Sequence, residues 1–159
     1  MEGIAAQAGV SKQSIYRRWR SLGALLLELY MQGMTFDGPE QTAAFDYKKE
    51  LTALLQLTVN RLRNRGYLEI LRSVMIETQT NKATRDAYNE LVAKPRNAAV
   101  RAVFQRAVDE GHLRRDTDIQ LAIELFFSVV WLRILFSNAK FSDTFASEVV
   151  DVISRAYGK

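Results

Sequence analysis

Apolar residues recur along this chain at steps of three and four, and nowhere do they alternate with polar ones over a strand's length. That period belongs to helices, so the chain is predicted to be all-α. Leu51, Leu54, Leu55, Val59 and Leu62 share one face of a helix expected from about Phe45 to Asn64, with Gly66 as its stop. Leu68, Leu71, Val74 and Met75 turn inward on a second, from Tyr67 to about Gln79, before a break at Thr80-Asn81. A long helical stretch from Thr84 to Glu110 is interrupted by Pro95. Its ring and missing N–H predict a kink or a new start there, and Gly111 closes the stretch. Thr117 and Gln120 have capping-box spacing and open a helix to about Ser137. Ser142 stands where it can cap a last helix, striped by Phe145, Val149, Val152, Ile153, Ala156 and Tyr157.

The N-terminal pattern is finer. Ile4, Ala5 and Ala8 give a short helix a small apolar side, and Gly9 stops it. Ser11 is an N-cap whose hydroxyl can accept from the amides of Gln13 or Ser14. Val10 before the cap and Ile15 four positions after it have the spacing of a hydrophobic staple. Ile15 and Trp19 then face inward, leaving Lys12, Gln13, Ser14, Arg17 and Arg18 outward. A third helix follows from Ser21 or Leu22 to about Met34. It is apolar on more than one side, so it is expected to touch both this headpiece and the body. The Thr35–Ala43 stretch, with Gly38-Pro39, reads as a loop and a domain boundary, dividing the chain into residues 1–34 and 35–159.

A helix, a tight turn and a capped basic helix form the arrangement that lays its second helix in a DNA major groove. The plainer reading is a helical hairpin with a solvated basic face. AGVSKQSIYRRW followed by SLGALLLELY resembles the N-terminal region of the TetR family of transcriptional regulators, and EGHLRRDTDIQLAIELFF resembles, more loosely, a turn and buried helix of the family's C-terminal domains. The resemblance implies a DNA-reading headpiece joined to a helical domain that dimerises and binds a small effector. Two departures stand out. The family's lysine near the start of the helix after the reading helix is matched here by Leu22, between Ser21 and Gly23, with Arg20 as a substitute. The family's first helix has no counterpart, since the chain opens at the second. That helix would cover Ile4, Ile15, Trp19 and Leu26, each worth ~1.5–3 kcal/mol when fully buried.

Charge sharpens the picture. The chain has a net charge of +4, and Lys12, Arg17, Arg18 and Arg20 against Glu2 place most of it in the first 20 residues. A polyanion's binding surface should be charged in this way. Apolar content of 48% is that of a globular chain, and the absence of cysteine removes disulfide and thiolate chemistry. The first residues lack the charged start and apolar run of a signal peptide. Leu125–Phe136, interrupted by Ser128 and Arg133, falls short of the ~20 residues a membrane span needs. The expected compartment is the cytoplasm, with no membrane partner.

The helix from Asp118 to Ser137 is apolar nearly all round, more than one domain can cover. A second copy would complete a four-helix bundle, so a homodimer is expected through Leu125, Val129, Leu132, Phe136, Val149, Val152 and Ile153. A two-fold dimer also matches two half-sites on double-stranded DNA. A monomer with a thick core is the alternative.

The DNA residues follow from position on the reading helix. Lys12, Gln13 and Arg17 are candidates for base edges, since lysine can donate to guanine O6 and N7 and glutamine pairs with adenine. Ser14, Tyr16, Arg18 and Arg20 suit phosphates, and the family resemblance places its tyrosine, Tyr16 here, on one. For an effector, small and apolar or amphipathic, Phe36, Tyr67, Met75, Tyr88, Phe104, Phe127 and Trp131 offer pocket-lining surface, although each taken alone reads as core. Asp109, Glu110, His112, Asp116 and Asp118 read as a helix end, a turn and a cap, because one histidine cannot form the usual zinc set. No metal or cofactor is expected. No nucleophile–base pair or phosphate-cradling loop appears, so an enzyme is not expected. The leading reading is a ligand-responsive repressor acting on a palindromic operator. The other is a dimeric helical module that binds a ligand or partner and has lost DNA recognition.

Overall fold

The computed structural model describes residues 2–32, 34, 44–136 and 140–159. The chain is all-α. Two short helices, α1 (Glu2–Ala8) and α2 (Lys12–Arg18), precede α3 (Leu22–Met31), α4 (Tyr47–Leu62), α5 (Arg65–Thr80) and α6 (Lys82–Tyr88). A π-helical turn, Asn89–Ala93, leads into α7 (Lys94–Asp109), followed by α8 (Ile119–Phe136) and α9 (Phe145–Tyr157).

Local chemistry sets the N-terminal boundaries. Gly9 has φ 63°, a conformation that side chains disfavour, and Val10 N–H returns to Ala5 O at 3.1 Å. Ser11 Oγ accepts from Ser14 N–H at 3.1 Å and starts α2. Ser21 does the same for α3 through Ala24 N–H. The staple is not closed, for Val10 is 47% exposed while Ile15 is buried. Ile15 packs instead with Ala5 and Leu25, flanked by Trp19 and Leu22.

Further along, three expected boundaries move. Gly66 does not stop a helix but lies inside α5, because Asn64 caps that helix by accepting from Tyr67 N–H at 3.1 Å. Asp118 replaces Thr117 as the cap of α8, accepting from Leu121 N–H at 3.0 Å, while the Thr117 hydroxyl donates to Arg114 O at 2.7 Å. Ser142 makes no side-chain cap of α9, whose N-cap residue is Thr144. Pro95 stands in the first turn of α7, which starts at Lys94, so the new start expected there is found, entered from the π turn without a loop. Lys94 N–H donates to Asn89 O, five residues back, and the widened turn makes room for the ring one turn before it would collide.

The body core gathers Leu51, Leu55 and Val59 of α4 with Phe104, Phe126 and Phe145 of α7, α8 and α9. Two edge-to-face contacts, Phe104 on Phe126 at 6.2 Å and Phe126 on Phe127 at 4.9 Å, tie it together. Arg72 of α5 donates from Nε to Ile134 O at 2.7 Å, and Arg114 holds the end of α9 through Ala156 O at 2.9 Å. By length and composition α8 passes for a membrane span, yet its Ala122, Ile123, Phe126, Phe127, Val130 and Ile134 are buried in this core. α3 belongs to both clusters: Leu25 packs in the headpiece, and Leu27 and Tyr30 in the body. The expected loop at Gly38-Pro39 and the helix end at Ser137 lie outside the described residues.

Candidate nucleic-acid interface and effector cavity

On α2 a single residue, Ile15, is buried, and the rest of the helix faces solvent. Lys12, Gln13, Ser14, Tyr16, Arg17 and Arg18 are all exposed, as is Arg20 just beyond. The small apolar cluster beneath Ile15 therefore presents a continuous cationic face. Lys12 pairs with Glu2 of α1 and lies 5.9 Å from the Tyr16 ring centre. Both partners are exposed, so water and salt screen the pair and it holds Lys12 only weakly. Arg17 and Arg20 have no ion pair among the described residues.

Arg18 is held differently. It reaches Glu28 of α3 at 3.1 Å and lies 4.8 Å over the Trp19 ring, whose Nε1–H donates to the other Glu28 oxygen at 2.8 Å. Trp19 and then Arg18 keep the Glu28 carboxyl below its usual range. Arg18 thus braces α2 against α3 as well as lying on the cationic face. Sequence reasoning missed Glu28, since nine and ten residues separate it from its partners and no helical spacing links them.

The body contains a cavity bounded by α3, α4, α5, α7 and α8 and open to solvent at its mouth. Of the expected effector residues, Tyr67, Phe127 and Trp131 line it. Phe36 lies outside the described residues. The other three, Met75, Tyr88 and Phe104, are not in its wall. Phe104 is fully buried in the body core, and Tyr88 is buried behind the wall. Met75 packs on the body core at another part of α5. Tyr30 and Met34, at the end of the α3 segment, do line the cavity, and so do Arg61 and Arg96. These arginines were missed because cations were assigned to solvent. A signal existed for Arg96: it stands four, seven and eight residues before Val100, Val103 and Phe104, on the inner face of α7.

Tyr30 packs at a tilt against Tyr67 at 5.0 Å and Tyr88 at 6.5 Å between ring centres. Burial raises all three phenols above their usual range. The Tyr67 hydroxyl is buried near Tyr30 and Arg61 and makes no hydrogen bond of good geometry.

The outer side of α8 is an apolar stripe. Leu121, Leu125, Leu132, Leu135 and Phe136 are exposed, Phe136 by 80%, and Val152 of α9 joins them. Val129 is partly buried. The expected interface is corrected at Val149 and Ile153, which the strong amphipathicity of α9 turns into the protomer's own core.

The carboxylates and histidine between α7 and α8 serve separate structural ends. Asp109 accepts from Gln105, Glu110 pairs with Arg106, Asp116 with Arg114, and Asp118 caps α8. His112 stacks on Tyr47 at 5.8 Å.

With this geometry in hand, comparison with known proteins is informative. Residues 1–29 match the family model described as bacterial regulatory proteins, tetR family, and residues 46–153 match the tetracyclin repressor-like C-terminal domain. The chain is 20% identical over 150 residues to the HTH-type transcriptional regulator YdeS of Bacillus subtilis, covering 94% of this chain and 75% of that protein. It is 27% identical over 114 residues to the HTH-type regulator Rv1556 of Mycobacterium tuberculosis, covering 71% of this chain and 54% of the relative. Among solved structures, the TetR family transcription regulator SCO0332 superposes with a TM-score of 0.71 at 27% identity, covering 97% of this chain and 84% of the other. A Mesorhizobium loti structure described as TetR-family shares the fold at TM-score 0.66 and 18% identity, over 99% and 86% of the two chains.

Proposed function

This chain belongs to the TetR family of DNA-binding transcriptional regulators, and on that premise we propose that it is a ligand-responsive repressor acting in the cytoplasm as a homodimer on a palindromic operator. The observation that carries the reading is the double membership of α3. One end of that helix packs under the exposed cationic α2, and the other enters the wall of the body cavity through Tyr30. A ligand that moves Tyr30 moves α2 with it. In a dimer joined through the apolar stripe of α8 and Val152, such movement changes the separation of two reading helices. Half-site spacing is fixed by the duplex, so a mismatch weakens both contacts together.

Within α2, Lys12, Gln13 and Arg17 are assigned to base edges. Ser14, Tyr16, Arg18 and Arg20 are assigned to phosphates. The test is fluorescence anisotropy on operator DNA selected from a random library, repeated across a salt series. A dimer making ~6–10 phosphate contacts loses about 10³–10⁵ in affinity between 50 and 200 mM salt. Arg20→Ala is expected to weaken binding evenly across sequences and to lower the salt slope by about one, whereas Gln13→Ala relaxes preference at one position. Failure to select any preferred sequence would refute the reading and leave a helical binding module.

A further inference from the structure

Among the described residues, no carboxylate pairs with Arg96. It leaves the first turn of α7, partly buried, with its guanidinium carbon 4.2 Å from the Phe127 ring centre and 5.4 Å from that of Trp131. Nε and Nη2 donate to Asn97 Oδ1 at 3.3 and 3.1 Å, and Nη1 donates to the Tyr88 hydroxyl at 3.4 Å. Both acceptor groups are neutral. A guanidinium has five N–H donors, so two have no protein acceptor among the described residues. Arg63, Arg72 and Arg106 each have a carboxylate partner, and Arg133, likewise partly buried over an aromatic ring, donates to the main-chain Lys140 O, whereas the Arg96 acceptors are two neutral side chains. A cation withdrawn from water without a counter-ion is unfavourable, and a site walled by aromatic faces strengthens any charge pair formed there. The same guanidinium lines the apolar cavity, whose walls include Leu54, Leu71 and Val130.

We propose that this cavity binds an apolar monoanion, an alkyl or aryl carboxylate, with its carboxylate on Arg96 and its body against Leu54, Leu71 and Val130. The planar guanidinium matches a carboxylate through two parallel N–H groups. The anion competes with the Tyr88 hydroxyl for Nη1, and Tyr88 stands against Tyr30 of α3. Only this last consequence, a signal to the headpiece, rests on the ligand-responsive reading above. The binding step does not.

Isothermal titration of the full chain with two acid–alcohol pairs tests it: 4-phenylbutanoate against 4-phenylbutan-1-ol, and octanoate against octan-1-ol. At least one acid is expected to bind about tenfold or more tighter than its alcohol. Arg96→Gln should bring that acid down to the level of the alcohol and leave the alcohol within about twofold, with the far-ultraviolet spectrum unchanged. Ala99→Phe, which fills the cavity from α7, should abolish both. Equal affinity for acid and alcohol in the unaltered chain overturns the proposal, and this comparison needs no variant to fold. No binding of either acid up to about 1 mM, or binding that survives Ala99→Phe, overturns it as well. Operator affinity is measured separately. Acid selectivity lost in Arg96→Gln, together with operator affinity unchanged by saturating acid, would uphold this proposal and refute ligand response.

Discussion

Gly23 sets how closely α3 approaches α6, and Gly23→Ala tests that role. A Cβ built on Gly23 would lie 2.7 Å from Thr84 Cγ2 and 2.9 Å from Thr84 Cβ, and closer still to Thr84 Oγ1. Carbon atoms in contact sit about 3.5–4.0 Å apart, so the two helices must separate by roughly an ångström. Thr84 is 4% exposed and cannot swing into solvent. Overpacking of this kind costs about 1–3 kcal/mol, against which alanine returns up to ~1 kcal/mol in helix propensity. The expected net loss is about 1–2 kcal/mol, read as a lower urea midpoint. Thr84→Ala supplies the control. It removes the two nearest groups, and the Thr84 hydroxyl it deletes is buried without a partner, so alone it should change stability by less than about 1 kcal/mol. The remaining Cβ at 2.9 Å then needs a shift of roughly 0.6 Å, less than the full side chain demands. In the double variant most of the Gly23→Ala loss should disappear, giving a coupling of about 1–2 kcal/mol. Because α3 carries the headpiece, operator affinity should follow the same cycle, falling with Gly23→Ala and recovering with Thr84→Ala. Additivity within about 0.5 kcal/mol in the stability cycle would refute the close-packing argument.

Two further outcomes follow from burial. The phenols of Tyr30, Tyr67 and Tyr88 are raised above their usual range by burial, so the native state holds their protons after the unfolded chain has released its own at about pH 10. Stability should be flat with respect to these groups below pH 10. It should fall above that by up to ~1.4 kcal/mol per pH unit for each phenol. Tyr30→Phe should make that slope shallower in urea melts at pH 9 to 11, and an unchanged slope would place the effect elsewhere. Leu132 is 59% exposed in the middle of the α8 stripe. Leu132→Asp should reduce the mass seen by light scattering to that of one protomer and leave helicity unchanged, whereas Leu71→Asp, in the core, should abolish folding. A dimer surviving Leu132→Asp would refute the α8 interface.

Legibility in the sequence tracked how local each cause was. Gly9, the Ser11 cap and the inward Ile15 act within a few residues of one another, so the turn and the reading helix were visible from spacing alone. Asn64 and Asp118 also act locally, yet each was overlooked in favour of a neighbour with a stronger motif: Gly66 as a stop, and Thr117 as the first half of a capping box. Pro95 marks the start of α7 as its missing N–H predicts, while the π turn before it depends on slack in the backbone upstream, which no side chain announces. The exposed apolar stripe of α8 was half legible. An all-apolar α8 told of a second covering surface, but which α9 residues remain outside depends on the angle at which α9 crosses α4, and Val149 and Ile153 fell on the inner side.

Arg18 and Arg96 were hardest to read, and for a common reason. Sequence patterning assigns charge to solvent, which is correct for most arginines. It fails where a partner arrives from a distant element. Glu28 reaches Arg18 across the turn between α2 and α3, and the rings of Phe127 and Trp131 receive Arg96 from more than thirty residues away. The two arginines sit at opposite ends of one mechanical line. Arg18 fastens the reading helix to α3 through Glu28, and Arg96 touches Tyr88, which packs on Tyr30 toward the other end of that helix. A line of this kind transmits only if α3 moves as a rigid rod, and its ten residues hold no proline and only Gly23, near its start, as a flexible point. Gly23 is also where α3 touches α6. The proposed ligand response requires that a displacement at Tyr30 be carried along α3, with the tight approach of Gly23 to Thr84 of α6 as the point about which the helix would turn.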